Sequence, residues 1–330
     1  MNFEEICKVF RESPTRMDNG VNLLASRLKA EPSDILAARK LVRKEIGKTS
    51  EELRQEAAER RRQIDEYYKR PARQQRILLL DIETTPIKAY VWDLWKQNIA
   101  WDHTTSDWYI ICWSAKWLDS PDIYSECITP IDALQENDAN ILQPLWDLLE
   151  NADIVVTHNG DAFDLPRINT RFALNGMTPP SPYYRIDTFK VAKKEFAFTS
   201  NKLDAIAHYF GLEGKYDTDF KLWEGCINGN RKALQEMQEY NIQDVKVLEE
   251  VFLKLRPWIK GFPNNNNYMS SKTLVCATCG SDNVEELQEQ YYYTSTGKYQ
   301  LFRCKACGAI TKSRYNSNTP KNIKGTNVAR

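Results

Sequence analysis

The aliphatic run RILLLDIETT, residues 76–85, ends in two carboxylates one residue apart, Asp81 and Glu83. A buried strand normally excludes such groups, because an unpaired carboxylate taken out of water costs several kcal/mol or stays protonated. At i and i+2 both side chains leave one face of the strand. Two further acidic points follow. HNGDAFDLPRI sets Asp161 and Asp164 at a strand-to-helix turn, and EYNIQDVKVL sets Tyr240 and Asp244 one turn apart on a helix. Three acidic points at the ends of separate elements are what two-metal phosphoryl transfer requires. Two cations about 4 Å apart share anionic ligands; one lowers the pKa of a water and the other stabilises the departing oxygen. Hard oxygen donors suit Mg²⁺ or Mn²⁺ rather than zinc. Without metal, converging carboxylates repel and some protonate.

A second chemistry lies near the end of the chain. Cys7, Cys112, Cys127 and Cys226 are scattered singly, whereas Cys276, Cys279, Cys304 and Cys307 form the pairs CATCG and CKACG. In a reducing compartment this pattern reads as metal rather than disulfide. Four thiolates in two glycine-backed knuckles suit one tetrahedral structural zinc. Between the knuckles, QEQYYYTSTGKYQLFR reads as a β-hairpin around Thr296-Gly297. Tyr291, Tyr292, Tyr293, Tyr299 and Phe302, with Lys298, Arg303 and Lys305, mix stacking rings with phosphate-pairing cations, which suits single strands. The same rings serve equally well as a scaffold covering the metal.

The elements that must position these groups fall into successive parts. Residues 1–73 read as helical and charged. VNLLASRLKAEPSDILAARKLVRKEI breaks at Glu31-Pro32-Ser33, with Ser33 as a possible cap and Arg39, Lys40, Arg43 and Lys44 on the second helix. That outline is helix-turn-helix-like, and a small bundle with a solvated basic face fits it too. Residues 50–73 read as a charged connector helix. Over 76–258, early strands (RILLLDIE, WYIICWSAKW, DIYSECI, ADIVVTHN) give way to β-α alternation, which indicates an α/β mixed sheet flanked by helices. GFPNNNNYMSSKT, within residues 259–273, reads as a linker, 274–310 as the Cys₄ ribbon, and 311–330 as a disordered basic tail.

With 45 basic and 45 acidic residues the formal charge is zero, so any affinity for a polyanion must come from local patches. The start, MNFEEICKVFRESP, is too polar for a secretory leader and no apolar run is long enough to span a bilayer, so the expected location is cytoplasmic.

DIETT, HNGDAFDLP and YNIQD, in this order and separation, resemble the three motifs of the DEDD 3′–5′ exonucleases on the ribonuclease H-like (DnaQ-like) fold. The likeness covers about residues 76–258. It is strongest toward the exonuclease domain of family B DNA polymerases, a branch with stand-alone phage and bacterial proteins; YVWDLWKQNI and WYIICWSAKW share in it. The resemblance implies that Asp81, Glu83, Asp164 and Asp244 ligate two Mg²⁺ or Mn²⁺ ions. Asp164, rather than Asp161, matches the acid after the aromatic of the second motif. Tyr240 would orient or help deprotonate the attacking water; none of the three histidines adjoins Asp244, so the tyrosine type is indicated. Thr84, Asn159 and Phe163 fall where substrate is contacted, and a bacterial or phage-encoded protein is implied.

The expected activity is therefore a metal-dependent 3′–5′ exonuclease releasing nucleoside 5′-monophosphates from a single-stranded or frayed DNA end, with a structural zinc ribbon. A replication partner, or a polymerase in trans, is compatible with it. A ribonuclease of the same fold, and a non-catalytic nucleic-acid-binding protein, are the alternatives. Asp187, in YRIDT, reads either as an outer acid of the site or as a helix cap.

Overall fold

The computed structural model describes residues 2–12, 21–46, 55, 73–212 and 218–318. The chain divides into two compact units, residues 1–72 and 73–330. In the first, helices α1 (Phe3–Glu12), α2 (Val21–Leu28) and α3 (Pro32–Ile46) bury Ile6, Phe10, Leu24, Ile35, Ala38 and Val42 together. Asn2 and Glu5 cap α1 reciprocally: the Glu5 N–H donates to Asn2 Oδ1 and the Asn2 N–H to Glu5 Oε2, each at 2.9 Å. α3 begins at Pro32, whose missing N–H is no loss in a first turn, so Ser33 lies inside the helix rather than capping it. Apart from residue 55, the expected connector helix up to residue 72 lies outside the described residues.

The second unit is built on a five-stranded sheet. Its strands are β1 (Ile77–Thr84), β4 (Ile110–Trp117), β5 (Ile123–Cys127), β6 (Ile154–Thr157) and β7 (Tyr184–Asp187), in the order β5-β4-β1-β6-β7. β1 runs antiparallel to β4 and parallel to β6, so the strand carrying Asp81 and Glu83 is central. That explains its unbroken aliphatic start: both faces are covered. A short ladder of β2 (Lys88–Ala89) and β3 (Thr104–Ser106) interrupts the chain between β1 and β4. The loop it carries exposes Trp92 and Trp95.

Strand parity sorts the side chains. Leu78, Leu80 and Ile82 face one core with α5 (Ala139–Glu150), which follows the short α4 (Pro130–Leu134), and α6 (Asp164–Leu174). Ile77 and Leu79 face the other, with Val245, Leu248, Val251 and Phe252 of α10 (Arg231–Leu255). Asp81 and Glu83 continue the second set and so point toward the α10 side. The helices α7 (Thr188–Glu195), α8 (Leu203–Tyr209) and α9 (Phe220–Ile227) lie between β7 and α10 in the chain.

Residues 259–273, expected as a linker, are packed in place. Asn265 and Asn266, with the short helix α11 (Asn266–Met269), fold against the ribbon: the Asn265 N–H donates to Ala277 O at 2.7 Å and Asn265 is buried. The Gln75 amide donates to Pro263 O at 2.9 Å from the other side. Two of the four asparagines supply local side-chain bonds to a compact turn, Asn264 Oδ1 accepting from Asn266 N and Asn266 Oδ1 from Ser271 N, a use of this residue that loop composition does not separate from flexibility. The ribbon consists of β8 (Val284–Tyr293), β9 (Lys298–Cys304) and β10 (Ile310–Lys312), with the hairpin turn at Thr294–Gly297. The expected basic tail starts inside β10, and residues 319–330 lie outside the described residues. Among the described residues no helix is long and apolar enough to cross a membrane.

Candidate active site

α10 is amphipathic with period 3.6: Leu234, Met237, Leu248, Val251, Phe252 and Leu255 form its buried stripe. Asn241 and Asp244 occupy two positions of that stripe and are buried, at 0% and 2% exposure. Polar groups survive there because of what they meet. Carboxylate oxygens of Asp81, Glu83 and Asp244 all lie within 4.8 Å of one another. The Asn241 amide donates to Asp81 Oδ2 at 2.7 Å, which fixes that carboxylate from the helix side. Asn241 Oδ1 is buried with no hydrogen-bond partner among the described residues. Tyr240, half-buried, is one turn before Asp244 and packs against the first core.

Asp164 stands outside the 4.8 Å set. β6 pairs with β1 only as far as Leu79↔Val156, so the next β1 N–H groups on that side lack a strand partner. Asp164, the first residue of α6, takes one of them: Ile82 N donates to its Oδ1 at 3.1 Å, between the two β1 acids. Burial pushes the Asp164 carboxyl up to about 7, against the pull of the Ile82 N–H. α6 is held by a bidentate Arg171–Asp138 pair, at 2.6 and 2.7 Å, with Asp138 fully buried and also accepting from Ile110 N.

The turn before α6 is conformationally specified. Asn159 has φ +66°, and a Cβ on Gly160 would come within 2.3 Å of Thr157 Oγ1, so only glycine fits. Asp187 is a helix cap: its carboxylate caps α7 through Phe189 N and Lys190 N, and it also accepts from Asn159 N and Asp161 N of the turn. Asp161 points away to Lys190 and Arg185. His158 is held between Thr188 Oγ1 (2.8 Å) and Asn201 O (2.9 Å), a packed residue. The Arg167 guanidinium lies over the Phe163 ring, 3.8 Å from its centroid, and 5.2 Å from the centroid of the Trp108 ring. Thr84 is buried where the β1–β4 register slips between Glu83 and Thr84. A bulge of this kind bends the strand end beside Glu83.

Three converging carboxylates with a buried fourth beside them offer oxygen donors only, a donor set that fits hard divalent cations. The four thiols fit a different ion. Cys276 Sγ lies 3.7 Å from Cys307 Sγ and Cys279 Sγ 3.6 Å from Cys304 Sγ. These distances are far beyond a disulfide bond of about 2.05 Å. They match the edge of a tetrahedron, about 3.8 Å, set by metal–sulfur bonds of about 2.3 Å. Burial pushes Cys304 up, yet the N–H groups of Cys307 and Ala306 outweigh it and pull the thiol down to about 7.

Residues 110–256 match the sequence model of the RNase H superfamily. This segment is an RNase H-like domain. It begins at β4 and ends with α10, so it takes in Asp164 and Asp244 but leaves β1, with Asp81 and Glu83, to the flanking chain. Among solved structures, the chain is similar to the family B DNA polymerase from the hyperthermophilic archaeon Pyrobaculum calidifontis. That similarity has 14% identity and a TM-score of 0.42, over 60% of this chain and 28% of the polymerase. No curated protein matches the chain.

Sequence reading did not single out Asn241 or Asp138. For Asn241 the signal was present: a polar residue on the apolar stripe of a long helix, three residues before Asp244. For Asp138, inside QENDANILQ, no feature of the sequence marks the distant Arg171 as its partner.

Proposed function

We propose that this chain is a metal-dependent 3′–5′ exonuclease that hydrolyses the terminal phosphodiester of DNA and releases nucleoside 5′-monophosphates. The observation that carries the reading is the convergence of Asp81, Glu83 and Asp244 at the centre of an RNase H-like sheet. With Asp164 beside them, these residues would hold two Mg²⁺ or Mn²⁺ ions. When bound, such ions supply a water of lowered pKa and stabilise charge on the departing oxygen.

The chain's own residues do the rest. Asn241 fixes the Asp81 carboxylate through a bond to its Oδ2. The Ile82 N–H keeps one oxygen of Asp164 against the strand. Tyr240, one turn from Asp244, orients the attacking water. Phe163 and the backbone turn at Asn159 receive the terminal nucleotide, and the buried Thr84 shapes the strand end beneath it. The likeness of DIETT, HNGDAFDLP and YNIQD to polymerase exonuclease motifs supports DNA as the polymer and the 3′ end as the point of attack.

The test is incubation of a 5′-labelled single-stranded oligonucleotide with Mg²⁺ or Mn²⁺, beside Asp81→Ala and Asp244→Ala proteins. A ladder shortened from the 3′ end, with mononucleotide released and both variants inert, is the expected result. Binding without turnover, or equal turnover by the variants, would end the exonuclease reading. Cutting of a circular single strand would make the enzyme an endonuclease instead.

A further inference from the structure

Away from the carboxylates, the ribbon and the nuclease domain enclose a groove of about 1000 Å³. One wall is the chain just after α10, with Trp258 and Lys260; the other is one face of the ribbon. Register defines that face. Tyr292 pairs with Tyr299, Leu301 with Lys312, and Arg303 with Ile310, and directly opposed residues of antiparallel strands share a side. Tyr292, Arg303, Ile310 and Lys312 therefore all project into the groove. The β8–β9 register shift between Glu286 and Tyr291 is what brings Tyr292 onto this side.

Trp258 and Tyr292 are 57% and 48% exposed, so each offers an open ring in a site that is already formed. Lys312 Nζ sits over the Tyr292 ring at 4.2 Å and over Tyr299 at 4.9 Å. Among the described residues, neither Arg303 nor Lys312 has a carboxylate partner, whereas Glu195, the acid that lines the groove, is bound by Lys260 at 2.7 Å. An apolar peptide seated here would desolvate two cations without return. A polymer with flat faces and an anionic backbone satisfies both the rings and the cations. The wall positions are fixed by buried ties between the two parts: Arg256 Nη2 donates to Thr278 O at 2.7 Å, and Asn265 N to Ala277 O at 2.7 Å.

We infer that this groove is a single-strand nucleic-acid site, with bases stacking on Trp258 and Tyr292 and phosphates meeting Arg303 and Lys312. It deepens the proposed nuclease reading, since the strand held here is the one whose end the carboxylates would cut.

The experiment measures binding of fluorescein-labelled dT30, rU30 and a blunt 30-base-pair duplex to full-length Asp244→Ala protein across a salt series. Single strands should bind tighter than the duplex. Trp258→Ala with Tyr292→Ala should weaken dT30 binding at least tenfold, as stacking losses of this kind do. Arg303→Gln with Lys312→Gln should lower the slope of log K against log salt by about 1.4, two contacts at about 0.7 each. In the Asp244-intact protein, all four substitutions should leave hydrolysis of a dinucleotide unchanged. Unaltered affinity and slope in folded variants, or equal affinity for the duplex, would overturn the groove while leaving the nuclease reading intact. Groove-dependent strand binding by a protein that hydrolyses nothing would do the reverse. Photo-cross-linking of 5-iododeoxyuridine strands to unsubstituted groove residues covers variants that fail to fold. Adducts at Trp258 or Tyr292 support the inference, and adducts confined to other segments overturn it.

Discussion

Asn241 offers a direct probe of how the carboxylate cluster is held. Its amide reaches Asp81 Oδ2 at 2.7 Å while its own Oδ1 is buried without a partner among the described residues, so it holds a proposed metal ligand at a cost to the fold. Asn241→Leu keeps the volume and removes both features. The lost bond is one to a charged group, worth about 1.5–3 kcal/mol. At about 1.4 kcal/mol per tenfold, that predicts cation binding weakened roughly 10- to 100-fold, the range typical when the outer partner of a metal ligand is removed. Folding feels two opposed effects. Asp81 loses a donor that water replaces in part, and an orphaned buried oxygen, costing about 1–3 kcal/mol, disappears. The unfolding temperature should therefore stay within a few degrees of wild type. Calorimetric Mn²⁺ titration reads the first effect without reference to turnover, and Mg²⁺ activation of hydrolysis should shift by the same factor with the maximal rate largely recovered. Unchanged Mn²⁺ affinity would refute the reasoning. So would an affinity loss that merely follows a fall in unfolding temperature.

Tyr240→Phe should lower turnover at least tenfold with little change in substrate affinity, measured by single-turnover kinetics at saturating enzyme; an unaltered rate removes the hydroxyl from the mechanism. Asp153 gives a pH-dependent expectation. Burial raises its carboxyl, but bonds from Arg73 and from the Arg76 N–H outweigh that and hold it below the ordinary carboxylate value. A depressed carboxyl stabilises the fold above its unfolded pKa and loses that contribution as pH falls through the folded one. Asp153→Asn should thus cost a constant 1–3 kcal/mol or so between pH 7 and 5. The difference should narrow only below about pH 4, as read from urea midpoints; a gap that closes already at pH 6 would contradict it.

Much of the site was legible because its chemistry conflicts with its surroundings. Two acids at the end of a buried strand are conspicuous in any sequence, and spacing alone set Asp81 and Glu83 on one face. The distance between Cys279 and Cys304 likewise announced a hairpin between knuckles. What stayed hidden depends on partners remote in sequence. Nothing local in Asp138 foretells Arg171, and the β1–β4 bulge at Glu83 is a property of two strands together. Trp113, buried in β4, and Trp92, almost wholly exposed, are the same residue type in similar neighbourhoods, so burial could not be read from identity. The stretch GFPNNNNYMSS misled for a related reason: its asparagines bond to one another's backbone and to the ribbon, and composition alone does not distinguish that from a tether.

The buried Arg256–Thr278 bond has a thermodynamic corollary. Thr278 lies between Cys276 and Cys279, so an ion held by the first knuckle, as proposed, would also hold its carbonyl in position. Opening the knuckle strands a guanidinium at the foot of the helix whose middle carries Asp244. With the proposed ions in both sites, chelation at the thiolates and melting of that helix would be linked equilibria, and a reagent that attacks only sulfur ligands would report on an oxygen-ligand centre it never touches.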